Sequence, residues 1–166
     1  WSWSRGLGDV YKRQVQVGFG GLGLKLNPLL FAAWPEQHFV MAPPADSREL
    51  EALRALPNLT LLPDGVRPLD VFPFCRRHLG KPGFSTFCEA LSFSVGLHVV
   101  ERRDFAEAKA LMRGLARHGS SRLLSRDQLL TGDWQLDQPL VPPTQAAAAA
   151  HGAEQAARAL IAYADQ

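Results

Sequence analysis

The chain has 166 residues, 46% of them hydrophobic and 20% charged, with a formal net charge of +2. This is the composition of a globular domain that is long enough to bury a core. The small net charge gives no sign of a nucleic-acid-binding surface, and no apolar run approaches the roughly 20 residues of a membrane span. The two cysteines, Cys75 and Cys88, lack metal-ligand spacing and favour a reducing compartment over a disulfide.

Residues 4–14 read SRGLGDVYKRQ and resemble the translation of a transposase adapter used to prepare sequencing libraries. We therefore treat residues 1–14 as an adapter-derived segment, with a genuine Trp- and Gly-rich tail as the alternative. Native sequence is then expected to begin within a gene near Val15, so that the chain is the C-terminal part of a longer protein. The segment accounts for the net charge through three cations and one carboxylate, which are Arg5, Lys12, Arg13 and Asp9.

Beyond this segment, short apolar runs alternate with stretches of helical period. The predicted strands are Val15–Gly20, Gln37–Met41, Leu59–Leu62, His78–Gly80, Leu97–Glu101 and Arg122–Leu124. The predicted helices are Pro28–Trp34, Ser47–Leu56, Leu69–Phe74, Thr86–Val95, Phe105–His118, Ser125–Leu130 and Ala153–Ala164. Because strands separated by helices pair in parallel, the predicted fold class is α/β, a Rossmann-like parallel sheet with flanking helices. The predicted divisions are a Rossmann-like domain over 15–138, a Pro/Ala-rich link over 139–151 and a C-terminal helix over 152–166.

Several side chains carry local predictions. Ser47 is expected to cap its helix, and Ser125 with Gln128 forms a capping pattern. Gly119 is expected to close the long helix that precedes it. The charged run 75–78 is expected to damage the strand before Lys81. His38 and His98 are predicted to be packed in the interior, and Cys88 is predicted to be buried on its helix. Trp134 is expected to anchor the Pro-rich tail.

Ligands of such sheets bind outside the carboxyl ends of the strands, near the point where the strand order reverses. Two glycine-bearing loops are predicted there, Gly18–Gly23 (GFGGLG) and Lys81–Thr86 (KPGFST). The first satisfies the pattern G-x-G-x-x-G. However, no helix opens directly after it and no carboxylate ends the second strand, so a dinucleotide site is the weaker hypothesis.

The second loop predicts an anion site. Gly83 allows the backbone to approach a ligand, and Ser85 and Thr86 offer hydroxyls and amides where the next helix begins. Glu89 lies one turn further, where it can accept hydrogen bonds from a sugar diol. From spacing alone, an ordinary helix start with Glu89 balancing the helix dipole is an equal alternative.

The segment KPGFSTFCEALSFSVGLHVVERRDFAE resembles the nucleotide-sugar half of GT-B glycosyltransferases. It is similar to family 28, the group of the peptidoglycan N-acetylglucosaminyltransferase, and to the transferase-like N-terminal region of plant arabinokinases. Arg126-Asp127 and Gly132-Asp133-Trp134 are particularly similar to the arabinokinase branch. The resemblance covers nearly all of residues 15–165 and implies that the chain is one half of a GT-B fold.

The resemblance also implies roles for individual residues. Backbone amides would cradle a diphosphate without a metal or other cofactor, in loops containing Gly20, Gly21, Gly83, Phe84, Ser85 and Thr86. Glu89 would hold the ribose, residues 69–71 would border the base, and Asp104 and Glu107 would contact the donor sugar. No catalytic base is assigned. Where many relatives carry an amide near Glu107, this chain has an acid, which leaves the sugar open.

The implied activity is transfer of a hexose or amino sugar from a nucleoside-diphosphate donor by a bacterial, cytoplasmic enzyme, with peripheral membrane attachment left open. The acceptor site would belong to a missing N-terminal domain, so this piece alone is expected to be inactive. One alternative is a non-catalytic transferase-like binding or regulatory module. The second is an NAD(P)-binding domain.

Overall fold

The computed structural model describes residues 14–19, 26–102, 105–146 and 151–164. Its strands are β1 Gln14–Gly18, β2 His38–Met41, β3 Leu59–Leu61, β4 Arg77–Gly80, β5 Gly96–Val100 and β6 Ser121–Leu124. They form one parallel sheet in the order β3-β2-β1-β4-β5-β6. The predicted α/β fold with a Rossmann-like parallel sheet is confirmed. Gln14, the last residue of the adapter-like segment, is the first residue of β1 and pairs with His38.

Helices carry the chain between successive strands, which is why neighbouring strands can run parallel. They are α1 Leu29–Ala32, α2 Ser47–Arg54, α3 Pro68–Val71, a 3₁₀ turn Phe72–Phe74, α4 Phe84–Ser92, α5 Ala108–His118, α6 Arg126–Thr131 and α7 Gly152–Ala164. Their bounds differ from the predicted ones by a few residues.

The sheet buries apolar side chains on both faces, as parallel sheets do. One core contains the β1, β2 and β4 side chains that point to the first face, with helix and loop residues over them: Val15, Val17, Phe39, Leu79, Phe31 and Trp134. The other core lies under the 3₁₀ turn, α4 and α5, and contains Phe72, Phe87, Leu97, Val99 and Leu115. The two faces therefore carry separate cores, and their residues alternate along each strand.

Trp134 holds the segment after α6 against the first face, as the sequence predicts. Its side chain is fully buried, and its Nε1–H donates to the Leu129 carbonyl at 3.0 Å. Its ring meets Phe31 and Phe39 edge to face, with centroids 5.0 and 5.5 Å apart. Gly132 ends α6 with a φ of 83°, a left-handed conformation that glycine adopts without strain.

The charged run does not damage the strand before Lys81, so that prediction is wrong. Arg77 is buried in β4 and donates to His98 Nε2 at 2.6 Å and to the Gln138 carbonyl at 3.2 Å. His98 Nδ1–H donates to the Trp134 carbonyl at 3.0 Å, so the ring is packed, as predicted, rather than free. Burial, with the Arg77 charge second, lowers the pKa of His98 to about 3. The charge is tolerated because tertiary partners satisfy the guanidinium.

Local predictions at helix ends have mixed outcomes. The capping box of Ser125 and Gln128 is confirmed. Asp46, not Ser47, caps α2, because its carboxylate accepts hydrogen bonds from the backbone N–H groups of Arg48 and Glu49. Gly119 follows α5 in extended backbone, and its smallness matters because a Cβ there would overlap Leu91 Cδ2.

The cysteines are both free. Cys75 is buried, and burial raises the pKa of its thiol to about 12, which makes it a poor nucleophile. Cys88 is exposed on α4, so the prediction that it is buried is wrong.

The chain beyond Trp134 continues along the sheet edge. Val141 forms one antiparallel bridge with Ser121 of β6, and Thr144 and Gln145 donate backbone hydrogen bonds to the last turn of α5. The first part of the predicted link therefore packs against β6 and α5 as far as Gln145, while α7 is exposed along its length. In the described parts of the chain, every helix is too short or too polar to cross a membrane.

Replacing Gly114 by alanine should stabilise the domain by about 1 kcal/mol, because glycine in a helix interior carries an entropic cost that alanine does not. A Cβ at Gly114 would meet no heavy atom within 4 Å. Urea unfolding of the variant would measure the gain. Gly119→Ala is the control and should give no gain, since its Cβ would also come within 2.7 Å of Leu115 Cδ1. Equal gains in both variants would contradict this account.

Candidate functional site

The sheet order reverses between β1 and β4, which places a crevice at their carboxyl ends. Gly18 ends β1 and Gly80 ends β4, and the two glycines are register partners. Neither glycine has a side chain to fill the space between the strand ends. We call the surroundings of Gly18, Gly80 and the first turn of α4 the glycine notch.

The first turn of α4 faces the end of β4 with its amides free of side-chain caps. Gly83 is the N-cap residue and contributes no side chain, and Phe87 makes the first helical hydrogen bond to the Gly83 carbonyl. The N–H groups of Phe84, Ser85 and Thr86 therefore lack intrahelical partners. Such a turn binds anions through its amides and the positive end of the helix dipole.

Glu89 lies on the second turn of α4 and is half-buried. On the neighbouring α3, the Arg67 guanidinium donates to Asp70 at 2.7 Å. This hydrogen bond and charge, with a smaller contribution from the Glu89 carboxylate, raise the pKa of Arg67. The Glu89 carboxylate is therefore within electrostatic range of Arg67, the residue that precedes α3.

A pair of polar side chains, Gln16 and His78, lies beneath the notch on the second face of the sheet. Both are about 1% exposed, and they are register partners on β1 and β4. The Gln16 amide N–H donates to the Val17 carbonyl at 3.0 Å, so its Oε1 is the acceptor for His78 Nδ1–H. Burial lowers the pKa of His78 to about 4, and the ring is neutral at pH 7.

Beyond the end of β5 lies a groove of about 650 Å³, between the loop that follows β4 and the start of α5. Two cations line it, Arg102 and Lys109, together with Phe105 and Pro82. The Arg102 guanidinium lies 4.5 Å from the centre of the Phe105 ring, a cation–π contact that orients it. Because the carboxylate residue Glu101 also lines the groove, its wall carries charges of both signs beside the Phe105 ring.

The structure brings part of the predicted site together. Gly83, Phe84, Ser85, Thr86 and Glu89 share α4 and its N-terminal turn, next to the crevice. Phe84 is 66% exposed there. Glu107 is the exposed N-cap residue of α5 and is not among the groove-lining residues. The remaining predicted residues, Gly20, Gly21 and Asp104, lie outside the described residues.

Sequence reasoning missed Gln16 and His78. A signal was available, because each lies two positions before a strand-ending glycine, in Q-V-G and H-L-G. In a strand, positions two apart point to the same face, so the pattern predicts a polar group beneath each glycine. What the pattern cannot give is the pairing of two residues 62 positions apart.

No protein-family model matches the chain, and no curated protein matches it significantly. Several solved structures share its fold, among them the following two. A protein assigned as a UDP-N-acetylglucosamine 2-epimerase from Listeria monocytogenes matches with a TM-score of 0.55 and 13% identity, over 81% of this chain and 39% of that one. The glycosyltransferase SnogD from Streptomyces nogalater matches with a TM-score of 0.50 and 18% identity, over 90% of this chain and 43% of that one.

These likenesses show the fold alone, a Rossmann-like α/β domain that also forms part of each of these two proteins. The chain spans about two-fifths of the length of each matching structure.

Proposed function

We propose that this chain is the nucleotide-sugar-binding half of a glycosyltransferase, which takes a hexose or amino sugar from a nucleoside-diphosphate donor. The observation that carries the proposal is the uncapped first turn of α4 beside the β1–β4 crevice, with Glu89 one turn further along the same helix. The two solved structures compared above have names that refer to sugar chemistry, one of them on a UDP-sugar.

In this proposal the donor diphosphate binds at the amides of Phe84, Ser85 and Thr86. Three converging N–H groups at a helix N-terminus neutralise phosphate oxygens without a metal ion. They also stabilise the negative charge that develops on the diphosphate as the glycosidic bond breaks. Gly20 and Gly21 would complete the cradle from the β1 side.

The nucleoside end would lie along α4. Glu89 would accept hydrogen bonds from the ribose hydroxyls, and residues 69–71 on α3 would border the base. The electrostatic interaction between Glu89 and Arg67, which precedes α3, is compatible with both contacts. A hydrogen bond from a neutral hydroxyl to a carboxylate contributes about 1.5–3 kcal/mol.

The sugar end would extend towards the end of β5. Asp104 and Glu107 remain the proposed sugar contacts, and the adjacent groove is lined by Arg102 and Lys109 together with Glu101. The acceptor and the base that activates it would lie on a partner domain at the N-terminal side, across the crevice. We assign no catalytic base to this chain.

The test is calorimetric titration with UDP, GDP and NAD, repeated on Glu89→Ala. We expect UDP or GDP to bind, and Glu89→Ala to weaken binding about tenfold to a hundredfold, because the ribose loses a charged partner. The control is Glu51→Ala, which removes an exposed carboxylate of α2 that pairs only with Arg54. It should leave the affinity unchanged.

Other outcomes separate the alternatives. Binding of NAD alone, unaffected by Glu89→Ala, would replace the donor site by an NAD(P)-binding module. Failure of all three nucleotides to bind would reject the donor site in this chain. If UDP or GDP binds, a full-length gene with an N-terminal Rossmann-like half would favour the transferase, and a fused kinase domain would favour a non-catalytic module.

A further inference from the structure

His78 presents a buried nitrogen that no group in the described residues satisfies. The side chain is 1% exposed, Nδ1 is occupied by Gln16, and Nε2 has no hydrogen-bond partner. Most buried polar side-chain atoms in proteins have a partner, so such an exception requires an explanation. Because Nδ1 carries the proton, Nε2 presents a lone pair.

This lone pair is directed at the glycine notch. A Cβ built on Gly80 would overlap His78 Nε2 and the Gly18 carbonyl oxygen, so Nε2 occupies the place that a side chain at Gly80 would take. Gly83, the residue that opens α4, follows Gly80 by three peptide steps of about 3.8 Å, so its Cα lies within about 11 Å of the Gly80 Cα that this nitrogen contacts. The imidazole therefore lies inside the electrostatic range of any ligand bound at the first turn of α4.

The immediate surroundings of the ring are apolar or neutral. Phe72 of the 3₁₀ turn contacts it edge to face at 5.6 Å, Leu97 is paired beside it on β5, and Phe87 of α4 belongs to the same core. The titratable and charged groups on the elements around it are Cys75 before β4, the Arg67–Asp70 pair on α3, Glu89 on α4, and Arg77 with His98 on the opposite face. A bound diphosphate would bring new negative charge into this low-dielectric region.

We propose that binding of a nucleoside diphosphate in the glycine notch is coupled to the uptake of one proton by His78 at Nε2. The inference rests on the proposed function. The proton comes from solvent, adds to the Nε2 lone pair, and returns to solvent when the ligand leaves. In the complex the imidazolium balances part of the diphosphate charge.

Electrostatics gives the expected size of the coupling. At about 10 Å and an effective dielectric constant of about 20, each unit of negative charge raises the pKa of a neighbouring group by about 1. A diphosphate therefore brings protonation of this imidazole, which titrates at about 4 without ligand, up to the range just above pH 6. By linkage, nucleotide affinity should rise as the pH falls, about tenfold between pH 7 and pH 5.

The experiment is calorimetric titration with UDP, or with GDP if that is the nucleotide that binds, at pH 6 in two buffers of different ionisation enthalpy. The difference in heat gives the number of protons taken up. We expect the wild-type protein to take up between half a proton and one proton more per nucleotide than His78→Gln. Subtracting the variant removes the titration of the nucleotide itself. The matched control is His38→Gln, which removes an imidazole from the same face of the sheet at the amino end of β2 and should behave as wild type.

Equal proton uptake by wild type and His78→Gln, with nucleotide bound to both, would overturn the inference and leave the donor site standing. Absence of nucleotide binding to wild type would reject both. If His78→Gln does not fold, imidazole nitrogen NMR on wild type decides. Nε2 of His78 must change from unprotonated to protonated when nucleotide is added at pH 6, and an unchanged signal refutes the coupling.

Discussion

Lowering the pH from about 7 to about 4 should remove a large part of the stability of this domain, because two buried histidine rings take up protons when it unfolds. His78 and His98 are buried as neutral rings, with pKa values lowered by burial to about 4 and about 3, whereas an unfolded histidine titrates near 6.5. The unfolded state therefore binds more protons below that pH. The stability given by the neutral rings is complete above about pH 6.5 and is lost as the pH falls towards these lower values.

The magnitude follows from the number of rings. One or two protons taken up on unfolding lower the free energy of unfolding by roughly 1–3 kcal/mol for each pH unit between about pH 6 and pH 4. Because globular domains have free energies of unfolding of about 5–15 kcal/mol, two pH units remove a large part of the stability.

Urea unfolding at a series of pH values measures this slope. His98→Gln should reduce the slope of the free energy of unfolding against pH by the equivalent of up to one proton. The substitution removes a ring that must be neutral to accept the hydrogen bond from Arg77. His38→Gln is the comparison, since that ring is only partly buried and pairs with Thr60 at 2.9 Å. It should change the slope much less. A slope that is the same in wild type and His98→Gln would contradict the assignment of that ring.

Gly80→Ala should destabilise the domain by about 3 kcal/mol, and no side-chain rearrangement relieves the strain fully. The added Cβ would overlap the Gly18 carbonyl oxygen, which is backbone of the adjacent central strand, as well as His78 Nε2. The ring cannot move aside easily, because Gln16 holds Nδ1 and Phe72 contacts the ring.

Gly83→Ala is the matched control for stability. Its backbone is extended, with a φ of −145°, and the heavy atom closest to a Cβ there would be Thr86 Oγ1 at 3.8 Å. Alanine fits such a position, so the free energy of unfolding should change by less than about 1 kcal/mol. Thermal or urea unfolding of both variants would show the contrast, and similar losses in the two would refute the packing argument for Gly80.

The sheet and its helices could be predicted from the sequence because alternation of apolar runs and helical periods is a local property. The capping box at Ser125 was predictable for the same reason. Asp46 displaced Ser47 as a cap because both residues suit the position, and the difference of one residue depends on the path of the loop. These errors shift the ends of elements and leave the topology unchanged.

The polar interior could not be predicted in this way. Arg77 was read as damaging to its strand, since its partners, His98 and Gln138, lie 21 and 61 positions away. Only the folded sheet brings them together. The same holds for Gln16 and His78, whose pairing depends on β1 and β4 being neighbours. The start of α4 could be predicted, because a glycine loop before a helix is a local signal, while diphosphate binding by its amides stays a prediction.

The antiparallel bridge between Val141 and Ser121 covers part of the edge strand β6 and so limits its pairing with other molecules. β6 is an outer strand, and an uncovered outer strand invites a strand from another molecule to pair with it. Here the position beside it is taken by a short segment with Pro139 before Val141 and Pro142 after it, and proline has no N–H to extend the ladder. Resistance to aggregation thus depends on the segment Pro139–Pro142. A variant truncated before Val141 would lose this cover of β6.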